Sequence, residues 1–389
     1  MADGVLVAGV GMTPFTPLSA CDSGASLAGQ AIRSALEDAR IDFDLVDQVF
    51  ASCVHGKAGS GEQVLAHVGL TGVPIFNFND GCASASSALQ MARNSVLCGE
   101  AECALALGFE CMPAGVSNRA FFGLDECPGS EWDSLHQRND PLGFLARRQH
   151  PAALFAAQTS WLLTRMGIAE GSFEQVLGQA RAQARLNPYA VLNRSSSLDG
   201  WLAPYLCPPA CGAAAVLLCS RSFVARYGAR GGIALLASTR SSDTASELES
   251  ASVLDVLGRA ATRRVAHKAY EQAGVGPDEI EVVELHDQSV GDFMVNSAAL
   301  GFCREDEINE FVRQNRNGRG GQVAVCPSGG LLGRGHAPGA TGLAQIAELV
   351  WQLRGEAEGR QVAGARTALQ HSSALGRSVS VTILQRTSA

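Results

Sequence analysis

The strongest constraint on how this chain can fold is that one α/β phrase is written in it twice. Val5-Leu-Val-Ala-Gly-Val has the glycine-bounded apolar pattern of a strand, Ser26 to Arg40 the period of an amphipathic helix, and Val46 to Cys53 a second strand pattern. Gly232-Ile-Ala-Leu-Leu-Ala, Leu257 to Gly274 and Ile280 to Leu285 repeat that order. The helix ends correspond by letter, Ala35-Leu-Glu-Asp-Ala-Arg-Ile-Asp against Ala269-Tyr-Glu-Gln-Ala-Gly-Val-Gly. Another pair of segments follows suit. Gly81-Cys82 leads into Ala88-Leu-Gln-Met-Ala, a Gly99-Glu-Ala-Glu turn and the strand Cys103 to Gly108; Gly335-His336 leads into Leu343-Ala-Gln-Ile-Ala, Gly355-Glu-Ala-Glu and the strand Ala365 to Gln370. A repeated unit buries its apolar face against its copy. The expected fold class is therefore α/β, with two similar halves related by an internal pseudo-twofold and equivalent loops facing one another.

The composition suits that arrangement. Of 389 residues, 46% are hydrophobic and only 17% charged, with 43 glycines, as a large layered α/β body with many tight turns requires. Net charge is −8 and no basic stripe is present, which argues against a nucleic-acid partner. No apolar run approaches the roughly 20 residues of a membrane-spanning helix. The twelve cysteines are irregularly spaced and mixed into apolar runs such as Val216-Leu-Leu-Cys219. No disulfide framework is expected from them, and a reducing, intracellular setting, mitochondrial or cytoplasmic, fits better. Cys207 and Cys211 lack a second pair at zinc spacing, so no metal site is expected. The end, Arg386-Thr-Ser-Ala389, carries no peroxisomal Ser-Lys-Leu.

The pseudo-twofold brings two chemically telling positions towards one cleft. Cys82 stands where the strand-like Val73 to Phe78 gives way to a helix, and His336 is expected at the equivalent helix start of the second half. A helix N-terminus lowers a thiol's pKa, so Cys82 is expected to be a nucleophilic thiolate; without the repeat it would read equally well as a small buried hydrophobe. Two further histidines end predicted strands, His286 in Glu284-Leu-His-Asp-Gln-Ser and His371 in Leu369-Gln-His-Ser-Ser. A cysteine nucleophile needs a base for its proton, and a thioester carbonyl needs donors where negative charge develops. Cys82 with His286, His336 and His371 supplies both. Between the halves, Cys111 to Pro204 is less regular, with Arg147-Arg148, a helical stretch Phe173 to Ala184 and the turn Asn187-Pro-Tyr189. It reads as an insertion that covers a site. Gly9-Val-Gly-Met lacks the third glycine of a dinucleotide loop, and Asn193-Arg-Ser195 is a glycosylation triplet in letters only.

These residues resemble those of the thiolases of the sterol-carrier-protein type. The likeness runs through Val7 to Thr13, Ala106-Leu-Gly-Phe-Glu110, Asn187-Pro-Tyr189, Gly212-Ala-Ala-Ala215, His286-Asp287 and, most specifically, Pro327-Ser-Gly-Gly330 to Gln345. It includes no sterol-carrier domain, so lipid transfer is not implied. The resemblance implies two βαβαβαββ halves in a five-layered αβαβα body. Residues 1–110 with 205–228 would form one half, 111–204 the loop domain and 229–389 the other half. It implies an acyl-CoA or CoA thioester as substrate beneath the loop domain and no separate cofactor. A homodimer is expected, with a monomer as the alternative, and a small accessory subunit as some thiolase-like proteins have. Cys82 would be the acyl-accepting nucleophile, His336 its activating base, His286 part of an oxyanion hole, and His371 would fall in the C-terminal loop where many thiolases carry the acid/base cysteine and this subfamily tends to carry histidine. Ser328, Gly329, Gly330 and Gly339 would lie against the coenzyme A thioester.

The chain departs from the family where it has Gln288-Ser289 instead of a Cys-Phe pair, Cys211 for an aspartate, Cys326 for an asparagine and Ser372-Ser-Ala-Leu-Gly376 for a glycine-rich loop. Glutamine does not titrate, so the family's second catalytic thiol is missing. General acid/base groups contribute about 10²- to 10⁴-fold. The sequence therefore points to an acyltransferase of lipid metabolism that acylates Cys82 but makes and breaks carbon-carbon bonds weakly, with His371 partly standing in. Two other readings stay open. One is a decarboxylating condensation of the ketosynthase kind, which a cysteine with two histidines also resembles; the other is a non-catalytic protein that binds acyl-CoA or a partner.

Overall fold

A computed structural model describes residues 4–112, 151–194, 205–249, 252–375 and 378–387 of the protein. Its strands are β1 (Leu6–Met12), β2 (Gln48–Ser52), β3 (Ile75–Phe78), β4 (Cys103–Glu110), β5 (Gly212–Cys219), β6 (Ile233–Ser242), β7 (Val282–Glu284), β8 (Ala324–Val325), β9 (Thr367–Ser373) and β10 (Ser378–Arg386). They hydrogen-bond in the order β3-β2-β4-β5-β1-β6-β10-β9-β7-β8. Read outwards from the β1–β6 contact, that order is the same in both directions. Each half runs through its own first, fifth, fourth, second and third strands, with parallel pairing on the outer side and antiparallel pairing on the inner. Within the sheet the two copies pair at Leu6 opposite Ala234. This is the pseudo-twofold that the repeated phrase predicts.

The helices that matter for the site are α1 (Gly24–Ala39), α2 (Ser84–Cys98), α3 (Pro151–Arg165), α4 (Glu170–Arg185), α5 (Arg259–Ala273), α6 (Val290–Ala299), α7 (Gly330–Arg334) and α8 (Thr341–Arg354). The repeat-related pair α2 and α8 pack on each other between the two half-sheets, α1 covers the outer face of the first and α5 that of the second. The result is the five-layered α/β arrangement. Position explains burial: α8 buries Leu343, Ala344, Ile346, Ala347, Leu349, Val350 and Leu353 together with its polar stripe Thr341, Gln345, Glu348 and Gln352, as a helix between two sheets must. Truncating one of its leucines, Leu349→Ala, costs about 2–5 kcal/mol. The outer α1 keeps one apolar stripe, with Leu27, Ile32 and Leu36 inward; Ser23 caps its start by accepting from the Ser26 N–H at 3.2 Å.

Gly9 and Gly11 lie inside β1, not in a phosphate loop. A Cβ at either would stand 2.1 or 2.2 Å from the carbonyl oxygens of Ala35 and Ala31, so the glycines let α1 rest directly on the strand. The expectation of free thiols throughout fails at one place. Cys21 and Cys211, 190 residues apart, form a disulfide, because the bridge between Thr16 and Cys211 brings the N-terminal loop against the start of β5. Such a separation leaves no spacing pattern to read. Of the predicted insertion, the helical stretch appears as α4, and Arg147-Arg148 lie outside the described residues. Among the described residues, no helix is long and apolar enough to cross a membrane.

Candidate active site

Cys82 sits at the end of a tight turn between β3 and α2. The Asp80 N–H donates to Ser84 Oγ at 2.7 Å, and that hydroxyl donates to the Gly81 carbonyl at 2.6 Å. Asp80 in turn accepts from Ser87 and from Arg240, the latter at 3.1 Å. The turn delivers the thiol to a buried position, 3% exposed, between two elements of the second half. His336 Nε2 lies 3.2 Å from its sulfur, and the Gln288 amide donates to that sulfur at 3.6 Å.

His336 does not begin a helix. It lies in the loop between α7 and α8, pinned by its N–H to the Pro208 carbonyl at 2.8 Å and by its carbonyl to the Ala210 N–H at 2.9 Å. Its Nδ1 is 2.9 Å from Thr341 Oγ1, the first residue of α8. The Thr341 hydroxyl donates to the Ala337 carbonyl at 2.9 Å, so its lone pair receives the Nδ1 proton. That fixes the tautomer: Nε2 carries the lone pair that faces the thiol. Thr341 lies within the glycine-histidine run, yet no spacing rule marks it.

The helix start does not lower the Cys82 thiol as expected. Burial, followed by the Glu110 carboxylate, pushes the Cys82 thiol up to about 12, against a smaller downward pull from Gln288. Burial, then Arg334 and His55, brings His336 down to about 3. The helix end is outweighed by desolvation. Burial thus favours an uncharged thiol on Cys82 and an uncharged imidazole on His336.

His286 packs edge-on against His336, with ring centroids 5.2 Å apart. Neither of its ring nitrogens makes a well-formed hydrogen bond, although the Gln288 amide is close enough to raise its proton affinity, and burial keeps it neutral. An unsatisfied buried imidazole beside the nucleophile is a ready donor for a substrate oxygen. His371 sits one step further back on β9. Its Nδ1 accepts from the His286 backbone N–H at 3.3 Å and its Nε2 is 3.1 Å from Thr262 Oγ1, so both nitrogens are engaged within the protein. The structure thus gathers Cys82, His286 and His336, with His371 behind them. Donor atoms of the first three lie within 4.8 Å of one another, a set that a soft cation could also bridge.

The four residues expected against coenzyme A are all buried. Ser328 gives its hydroxyl and N–H to Glu284 at 2.7 and 3.1 Å; Gly329 and Gly330 pack on Ala184 and Asp287. Gly339 donates its N–H to Glu110 at 2.9 Å, and a Cβ there would stand 2.6 Å from the Phe109 carbonyl. Glu110 also receives the N–H groups of Val54 and His55 at 3.1 and 3.0 Å, and so fastens the end of β4 to the loop that carries His336. Behind that loop, Arg334 pairs with Glu284 at 3.6 Å, both fully buried.

Residues 5–120 match the family described as thiolase, N-terminal domain, and residues 243–386 the one described as thiolase C-terminal domain-like. The chain is 37% identical to sterol carrier protein 2 of Homo sapiens over 395 residues, spanning 97% of this chain and 71% of that one. It belongs to the thiolase superfamily, in the sterol carrier protein 2 type. Among solved structures, this thiolase-like chain superposes on an Ltp2-ChsH2(DUF35) aldolase with a TM-score of 0.77, at 21% identity over 99% of its length and 98% of the other. It superposes on human mitochondrial 3-ketoacyl-CoA thiolase in complex with CoA with a TM-score of 0.68, at 17% identity over 100% of its length and 99% of the other. At those identities the likeness is one of fold.

Within this thiolase fold the unusual residues take up definite positions. Cys326 has φ of 51°, a left-handed conformation that asparagine adopts more readily than most residues. Gln288 occupies the buried place beside Cys82, donating to its sulfur instead of offering a second thiol.

Proposed function

We propose that this protein is an acyltransferase that takes the acyl group of an acyl-CoA thioester onto Cys82, with carbon-carbon bond chemistry weakened by the loss of the acid/base thiol. One observation carries the reading: the neutral Cys82-His336 pair, 3.2 Å apart, with Thr341 holding the imidazole in the tautomer that accepts the thiol proton. Attack of Cys82 on the thioester carbonyl places negative charge on oxygen, where the unsatisfied His286 can donate. His336, protonated in that step, returns its proton to the departing CoA sulfur. Gln288 steadies charge on the Cys82 sulfur as it forms and leaves.

The test is intact-mass spectrometry after incubation with acetyl-CoA and with acetoacetyl-CoA, with Cys82→Ala alongside. An adduct of acetyl mass on the native protein and none on the variant is the expected result. Uptake that survives Cys82→Ala overturns the assignment. A small separate partner belongs to the same reading, supported by the fold likeness to a chain of an Ltp2-ChsH2(DUF35) aldolase. Co-purification with a DUF35-type protein from the native host checks it.

A further inference from the structure

Three sulfurs converge at a place the acylation chemistry does not use. Cys21, in the loop before α1, is bonded to Cys211 just ahead of β5, and the sulfur of Cys111, the residue after β4, stands 3.0 Å from that of Cys21. Cys211 is fully buried and Cys21 half-buried, whereas Cys111 is a free, exposed thiol. With Gly24, Cys53, Lys57, Ser60 and His67 it lines an open cavity of about 270 Å³. A disulfide is exchanged by attack of a thiolate on one of its sulfurs, so a third thiol against Cys21 is placed to attack it.

The surroundings of each sulfur suit that step. The Met112 N–H donates to the Cys211 sulfur at 3.4 Å and can hold it as a leaving thiolate; the Met112 carbonyl, 3.6 Å from the same sulfur, can take its proton afterwards. The Cys111 thiol donates to the Asp22 carbonyl at 3.2 Å, and Asp22 is fixed by the Ser23 N–H at 2.7 Å and the Ser26 hydroxyl at 2.6 Å. Burial and then Glu110 raise the Cys111 thiol above its ordinary value, against a downward pull from the Gly24 N–H. Its thiolate is thus a minor form, and exchange belongs with uncatalysed disulfide rearrangements that take minutes to hours. Cys53, in the same cavity wall, donates to Glu110 at 3.7 Å, and burial with that carboxylate pushes it much further up. Cys111 is the better placed of the two.

We propose that Cys111 exchanges with the Cys21–Cys211 disulfide and so opens that buried bond to small thiols of the glutathione class entering the cavity. The Cys111 thiolate attacks the Cys21 sulfur, the bond to Cys211 breaks with its electron pair on Cys211, and Cys211 takes up the proton that Cys111 gave. A small thiol attacks Cys111 in the new Cys21–Cys111 bond, leaving Cys21 as a thiol. A second small thiol attacks the mixed disulfide and frees Cys111. One protein disulfide is reduced and two small thiols are oxidised to their disulfide. The exchange is independent of acyl transfer, yet it moves a tether between two supports of the His336 loop: Pro208 and Ala210, next to Cys211, clasp His336 itself, and Glu110, next to Cys111, holds Gly339.

The test is disulfide mapping in glutathione buffers, with acid quenching, alkylation by N-ethylmaleimide, digestion and mass spectrometry, on the native protein, Cys111→Ser and Cys211→Ser. The native protein is expected to show the Cys21–Cys211 link with a smaller share of Cys21–Cys111, and Cys211→Ser to show Cys21–Cys111. Cys111→Ser should keep the Cys21–Cys211 link but lose it to reduced glutathione about 10-fold more slowly than the native protein. Equal reduction rates in the native protein and Cys111→Ser overturn the proposal. So does a folded Cys211→Ser protein whose Cys21 and Cys111 stay unlinked in oxidised glutathione, or a native protein that forms no Cys21–Cys211 link there. Should Cys211→Ser fail to fold, the reduction rate of Cys111→Ser decides.

Discussion

Thr341 sets which nitrogen of His336 carries the proton, its Oγ1 standing 2.9 Å from Nδ1 while Nε2 faces the Cys82 sulfur at 3.2 Å. Its hydroxyl donates to the Ala337 carbonyl at 2.9 Å and accepts from Nδ1–H at 2.9 Å, so the lone pair at Nε2 depends on a residue on the far side of the ring from the Cys82 sulfur. Thr341→Val should lower the rate of Cys82 acylation by about 10- to 100-fold, and Thr341→Ser should restore most of it. Rapid-quench mass spectrometry reads both; an acylation rate unchanged in Thr341→Val would show that the ring holds its tautomer unaided.

The Gln288 amide approaches the Cys82 sulfur at 3.6 Å and pulls the thiol's pKa downward. Gln288→Leu keeps the volume and removes the donor. Acylation should slow by about 3- to 10-fold, the worth of one hydrogen bond, with thermal stability little changed. Single-turnover rates with acetyl-CoA decide the matter.

His371 is buried, neutral and held at about 3, while an unfolded chain's histidine titrates near 6.5. The folded state thus binds fewer protons between those values. The contribution is present above pH 6.5 and lost as pH falls towards 3, at about 1.4 kcal/mol per pH unit for one group. His286 and His336 act in the same direction. Glu284 and Asp292, both pushed up to about 7, act with the opposite sign, and their contribution is lost as pH rises to 7. His371→Asn leaves those four in place, so urea unfolding across pH 4 to 6.5 should show an acid limb shallower by one proton.

Arg334 and Glu284 are both fully buried, with 3.6 Å between Arg334 Nη1 and Glu284 Oε2. Arg334→Met leaves Glu284 buried without its cation and should cost about 3–5 kcal/mol; Arg334→Met with Glu284→Gln should regain much of that loss. Denaturant midpoints of the two variants compare them directly. Equal losses would mean that the pair is not what stabilises the loop.

The repeat was legible because both copies keep the same helix and strand periods, and the mirrored strand order follows from it. Cys82, His286 and His336 were legible for a related reason: equivalent loops of a pseudo-twofold must converge. What sequence spacing could not give was the electrostatics. A cysteine before a helix reads as an activated thiol, but the thiol is 3% exposed and burial reverses the sign of its shift. Nor could spacing show that the glycines at 329, 330 and 339 serve close packing, since an open loop and a tight one look alike in letters. Thr341 and Glu110 were silent because each acts through a partner distant in sequence or hidden inside a familiar run.

Glu110 binds, through one carboxylate, the N–H groups beside β2 and that of Gly339 across the boundary between the two copies. Cys82 and His336 lie on opposite sides of that boundary, so neither copy alone holds the pair. The Cys82–His336 contact therefore exists only where the two copies are docked. Acyl uptake on Cys82, once measured, would thus also report that the two copies are joined.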